Sequence, residues 1–137
     1  MIQFRHFAQL PILLTLLPSM ASSQTTFLHR VYSNVRFIED AGDLLGFELE
    51  LNFDGSKVSG EFRNYEGACG IPTEVSGTLE RGRITLKGVN KRYGKIKISG
   101  TLDDQYSRVR IRVGEGTPEN VTLRMVAKSS CREDALN

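Results

Sequence analysis

The sequence predicts an all-β fold: a single antiparallel meander of about eight strands, closed into a small up-and-down barrel. A two-sheet sandwich is the alternative. Three observations lead there. Apolar and polar residues alternate with period two along most of the chain, and helical spacing is sustained nowhere. Turn signals interrupt the alternation at short intervals, so no connection is long enough for the crossover that parallel pairing needs. Each strand is apolar on one face only, and closing the sheet hides that face and removes both free edges. The 137 residues amount to one domain.

Each strand can be justified in turn. In the first, Val31, Val35 and Phe37 share a parity and make its apolar face. Gly42 and Gly46 bracket the next turn. Phe47, Leu49, Leu51 and Phe53 then alternate with Glu48, Glu50 and Asn52, the clearest strand in the chain. Asp54-Gly55 marks a tight hairpin, since Gly tolerates the positive φ that such turns need. The return strand sets Val58, Gly60 and Phe62 against Lys57, Ser59, Glu61 and Arg63. A longer loop, Asn64 to Thr73, carries Cys69 and Pro72. Alternation resumes at Val75, Gly77 and Leu79, turns at Glu80-Arg81-Gly82, and continues through Ile84, Leu86 and Gly88. A short link through Asn90 and Gly94 leads to Ile96, Ile98, Gly100 and Leu102. Asp103-Asp104-Gln105 turns the chain into Val109, Ile111 and Val113. Gly114, Gly116 and Pro118 precede the last strand, with Val121, Leu123 and Met125 inward.

A weak repeat runs through the strands. Val58-Ser59-Gly60-Glu61-Phe62, Val75-Ser76-Gly77-Thr78-Leu79 and Ile98-Ser99-Gly100-Thr101-Leu102 share one pattern, and Leu86-Lys87-Gly88-Val89 is a partial copy. Each Gly falls on the apolar parity, where a missing side chain lets the wall bend. The inward residues are bulky, which favours a filled core over a ligand cavity.

The ends read differently from the middle. Arg5, the apolar stretch Leu10–Leu17, Pro18 and the small residues Ser19 and Ala21 form a secretory signal, with the cut after Ala21. The apolar stretch is shorter than the ~20 residues that span a bilayer. The expected organisation is a signal peptide over 1–21, a barrel domain over 22–127, and a polar tail over 128–137. Export would bring the two cysteines, Cys69 and Cys131, into an oxidising compartment, periplasmic or extracellular. They are expected to form one disulfide that pins the tail. On the chain-entropy model it stabilises the fold by roughly 4 kcal/mol.

No catalytic constellation can be assembled. The inward parity of the strong strands carries no recurring carboxylate, histidine or hydroxyl. Beyond the signal, His29 is the only histidine, and no nucleophile motif adjoins it. Neither a phosphate-binding glycine loop nor a metal-ligand spacing occurs. The expectation is a protein without enzymatic activity, cofactor or metal.

Charge is where the sequence is most informative. The formal net charge of +2 conceals two opposed segments. Residues 39–80 hold ten acids and two bases, whereas residues 81–112 hold ten bases and two acids. Parity places Arg83, Lys87, Lys95, Lys97, Arg108, Arg110 and Arg112 outward on three successive strands, one candidate anion-binding face. Glu48, Glu50 and Glu61 point outward from the opposite side. An anionic lipid, a polysaccharide or an acidic protein surface would suit such a face. Nucleic acid suits it less, because only Tyr93 and Tyr106 offer aromatic stacking. Contact between the basic side of one copy and the acidic side of another is a further reading.

Two more features complete the sequence reading. The loop of Tyr65, Glu66, Gly67 and Gly70, pinned beside Cys69, could present itself to a secreted hydrolase as an inhibitor. Asn120-Val121-Thr122 is an N-glycosylation sequon. Val31-Tyr32-Ser33-Asn34-Val35, followed by Gly42-Asp43-Leu44 and Gly46-Phe47-Glu48-Leu49, resembles the opening of uncharacterised small exported all-β proteins with a Gly-Asp-Leu turn and a Gly-x-Glu-Leu strand. That resemblance implies an exported all-β fold and no particular activity. The leading functional expectation is an exported binding module acting through the basic face. The alternatives are a carrier of a small apolar ligand inside the barrel and the loop-borne inhibitor.

Overall fold

The computed structural model describes residues 27–92, 94–114 and 119–131. The expected signal segment 1–21, Tyr93, the expected turn residues Gly116 and Pro118, and the residues beyond Cys131 lie outside the described residues.

Nine strands follow one another: β1 (Leu28–Ser33), β2 (Arg36–Ile38), β3 (Asp43–Asp54), β4 (Lys57–Gly67), β5 (Thr73–Glu80), β6 (Arg83–Asn90), β7 (Gly94–Leu102), β8 (Arg108–Val113) and β9 (Glu119–Val126). Every pairing is antiparallel. From β2 to β9 each strand pairs with the next, and β1 pairs with both β9 and β3. The result is a closed eight-stranded barrel, with β2 as one extra strand.

The extra strand arises from a break in the expected first strand. Ser33 lies opposite Glu48 in β1, and Arg36 opposite Leu45 in β2, so one register runs through both. At the break the Asn34 amide donates to the Phe47 carbonyl at 3.1 Å. The Phe47 amide donates to the Asn34 side-chain oxygen at 2.7 Å. The side chain thus takes the place of the backbone carbonyl that a regular ladder would use.

The parity of this first strand is the reverse of the expected one. Tyr32, opposite Leu49, joins the core. Val31, opposite Glu50, stands outside that cluster although it is buried, and Phe37 is 59% exposed. A shift of one residue moves every side chain to the other face.

Elsewhere the interior follows the alternation. Leu49, Leu51, Phe53, Val58, Phe62, Val75, Ile84, Leu86, Ile98, Leu102, Val109, Ile111 and Leu123 form one buried cluster. Phe47, Leu79, Ile96 and Val113 pack against it. Each fully buried aliphatic side chain contributes about 2 kcal/mol of transfer free energy. Met125 is the exception, at 47% exposure.

The repeat glycines are where strands press together. A Cβ on Gly60, Gly77, Gly88 or Gly100 would come within 1.9, 1.7, 2.3 and 2.1 Å of a neighbouring strand's carbonyl oxygen. No side chain fits there, so these positions let the wall coil tightly. The β5–β6 turn places both Arg81 and Gly82 at positive φ, the backbone of a two-residue hairpin loop.

Candidate functional site

The barrel wall made by β6 to β9 carries the basic residues. Arg83 and Lys87 project from β6, Lys95 and Lys97 from β7, and Arg108, Arg110 and Arg112 from β8. All seven are exposed. The β8–β9 pairing adds an eighth. Arg124 on β9 is also exposed and lies opposite Arg108. Parity with Leu123 and the meander order already place it on this wall, so it was legible in the sequence.

Register then fixes which charges meet. Lys87 faces Lys97, and Arg108 faces Arg124. Like charges directly opposed on neighbouring strands are destabilising. Among the described residues none of the eight cations enters a salt bridge. The nearby Asp103 is committed elsewhere. Its carboxylate accepts from the Ser107 hydroxyl and amide and from the Arg108 amide. Those bonds, the Ser107 hydroxyl first, hold it below the usual carboxylate range.

The basic wall has two halves. Over one, a shallow groove of about 380 Å³ is lined by Arg83, Thr85, Ser99, Thr101, Arg110, Arg112 and Asn120, with Gly100 and the buried Ile84 and Ile111 beneath them. Its outward side chains are guanidinium, hydroxyl and amide groups, with no acid. The sequon residue Asn120 sits in it, opposite Arg112. The other half holds Lys87, Lys95 and Lys97 around the exposed Val89 and the half-buried Ile96. Tyr106 does not stand on this wall as a stacking platform. Its ring meets Phe53 edge-on at 5.3 Å, and its carbonyl accepts from the Tyr32 hydroxyl at 3.0 Å. Burial raises the Tyr32 phenol above its usual range.

The opposite wall, made by β1, β3, β4 and β5, is acidic, and several of its carboxylates find partners within the chain. Glu50, Glu61 and Glu74 stand in one cross-strand row. Arg63 reaches Glu61 at 2.7 Å, Glu48 at 3.5 Å and Glu50 at 3.6 Å. His29 reaches Glu50 at 3.0 Å. Glu48 points outward, as its parity requires, yet it is fully buried rather than solvated. The segment after β9 supplies two of its partners. The Ser129 hydroxyl and the Ser130 amide donate to its carboxylate, as does the Tyr65 hydroxyl at 3.2 Å. Just beyond, Cys131 bonds Cys69, with Cα atoms 5.6 Å apart. The expected disulfide is present.

This arrangement changes the reading of the 64–73 loop. β4 extends to Gly67, so the connection is shorter than expected. Tyr65 is only 1% exposed and is engaged with Glu48. Burial, reinforced by the Glu48 charge, pushes its phenol up to about 12. It cannot serve as an exposed contact. Glu66 is exposed and accepts from the Asn64 side chain. A Cβ on Gly70 would strike the Asn64 carbonyl at 2.1 Å, so Gly70 serves close backbone packing. Gly67 takes a positive φ of 107°, where glycine is favoured.

Among the described residues no group of three or more His, Cys, Asp or Glu side chains is placed to hold a metal ion. No family model, curated protein or solved structure matches the chain.

Proposed function

We propose that the protein is an exported, non-enzymatic interaction module that contacts an anionic surface or partner through the β6–β9 wall. One observation carries this reading. Eight exposed cations, two pairs of them directly opposed, have no salt-bridge partner among the described residues. An unrelieved field of one sign attracts and orients a partner of the other sign. The disulfide supports the exported location, periplasmic or extracellular, because such bonds persist in oxidising compartments. Self-association is the weaker reading, since Glu48, Glu50 and Glu61 already share Arg63 within the chain.

The test is equilibrium binding to dextran sulfate, to phosphatidylglycerol vesicles and to polyglutamate. Binding to at least one is expected at low salt, with a steep loss as the screening length shortens from about 30 Å at 0.01 M to 8 Å at 0.15 M. The triple reversal Arg108→Glu, Arg110→Glu, Arg112→Glu should abolish it. Absence of binding to all three, or binding that survives the reversal, overturns the reading.

A further inference from the structure

We propose that the arginine-lined groove over β6–β9 is a discrete site for a linear acidic polysaccharide. This rests on the anion-binding reading above and narrows it to one place and one chemistry. The two halves of the basic wall differ in what stands between the charges. Around the lysines the neighbours are Val89 and Ile96. Around Arg83, Arg110 and Arg112 they are Ser99, Thr101 and Asn120.

Those groups match a sugar acid. A guanidinium presents a planar fork that pairs with a sulfate or carboxylate through two parallel hydrogen bonds. Hydroxyl and amide side chains can both donate to and accept from sugar hydroxyls. Register sets the spacing. Arg83 and Arg110 flank Thr101 on one cross-strand row, and Ser99, Arg112 and Asn120 share the next. Adjacent strands lie about 4.8 Å apart, so Arg83 and Arg110 are about 10 Å apart at the backbone. Alternate residues of one strand are about 6.8 Å apart, which separates Arg110 from Arg112. An extended polymer with recurring acid groups can meet all three.

The other anionic classes fit this groove less well. A membrane gains from apolar side chains that enter it, and the apolar residues lining this groove, Ile84 and Ile111, are buried in the core instead. A nucleic acid single strand gains from aromatic platforms, and Tyr106 is packed on Phe53 instead.

Two charge-matched variants test the site: Arg110→Gln with Arg112→Gln in the groove, and Lys95→Gln with Lys97→Gln outside it. Each removes two charges from the same wall. Affinity for dextran sulfate, for uncharged dextran and for phosphatidylglycerol vesicles is measured on each. The groove pair should weaken dextran sulfate binding by about a hundredfold, roughly tenfold for each charge-assisted contact. The lysine pair should weaken it only a few-fold. Ser99→Ala with Thr101→Ala, which removes no charge, should cost a further several-fold. Equal losses from the two charge pairs would overturn the site while leaving the anion-binding wall intact. Binding to vesicles but not to dextran sulfate would overturn it in favour of a membrane. Failure to bind any anion would remove both readings together.

Discussion

The two charged walls of the barrel resolve the same problem in opposite ways. On the β3–β5 side, carboxylates face one another across strands, and the fold supplies partners of its own. Arg63 reaches three glutamates, the His29 ring lies at hydrogen-bond distance from Glu50, and the returning segment gives Glu48 hydrogen bonds. On the β6–β9 side, Lys87 meets Lys97 and Arg108 meets Arg124, and among the described residues none of the four enters a salt bridge. Like-charge repulsion tolerated in this way carries a stability cost, which binding can offset and packing cannot. Equal and opposite charge counts in a sequence therefore do not mean equivalent surfaces. One wall is finished by the chain itself, and the other is left open.

Three experiments would break or sharpen the contrast. The largest effect should come from Cys131→Ser. It removes a cross-link that closes residues 69–131, worth roughly 4 kcal/mol on the chain-entropy model. Denaturant unfolding should show that loss. Hydrogen exchange should rise more at Ser130 and around Glu48, where local opening adds to the global loss, than on β7 and β8. Equal deprotection of both walls would mean that the tail is not specific to the acidic side.

Next is the comparison of Arg63→Ala with Arg110→Ala. The first leaves Glu48 buried without its cation and should cost about 3 kcal/mol. The second removes an exposed, unpaired charge and should change stability by less than about 0.5 kcal/mol. Similar losses for the two arginines would erase the distinction between the walls.

The smallest effect should appear only in alkali. Tyr65 in the folded protein titrates near 12, above the ordinary tyrosine value of 10.0. A raised folded pKa means that its contribution to stability is complete below the unfolded value and is lost as pH climbs through the folded one. Stability should therefore hold to about pH 10 and decline toward 12. In Tyr65→Phe that part of the decline should vanish, leaving the part due to Tyr32. Chemical denaturation at stepped pH, with tyrosinate absorbance followed alongside, measures both. An unchanged alkaline profile in Tyr65→Phe would remove Tyr65 from the cause.

Much of this was legible in the chain. The alternation from Phe47 to Phe53 and the Asp54-Gly55 turn are local signals, and they led directly to β3 and β4. The basic wall was legible because parity and meander order suffice to place Arg83, Lys97 and Arg112 on one surface. Other features depend on distant partners. Alternation says that Glu48 points out of the barrel, but not that Ser129 returns to cover it. Tyr65 looked like a loop residue because the same returning segment was needed to bury it. In β1 the apolar residues Val31, Val35 and Phe37 suggested one face, whereas pairing with Leu49 placed Tyr32 inside. That pairing lies between strands separated by a turn, where local pattern carries little information about register.

Closure of the barrel has a kinetic consequence. The final pairing joins Val31 to Val126, the first strand to the last. Until β9 is available, every earlier strand belongs to an open sheet with β1 and β8 as bare edges. Such edges can recruit strands from other chains, and long-range closure is the slow step in folds of this kind. Cys131 follows β9 directly, and its bond ties the end of that strand to Cys69 in the β4–β5 connection. The cross-link therefore keeps the closing strand near the barrel whenever the β1–β9 seam opens, and shortens the search that closes it again.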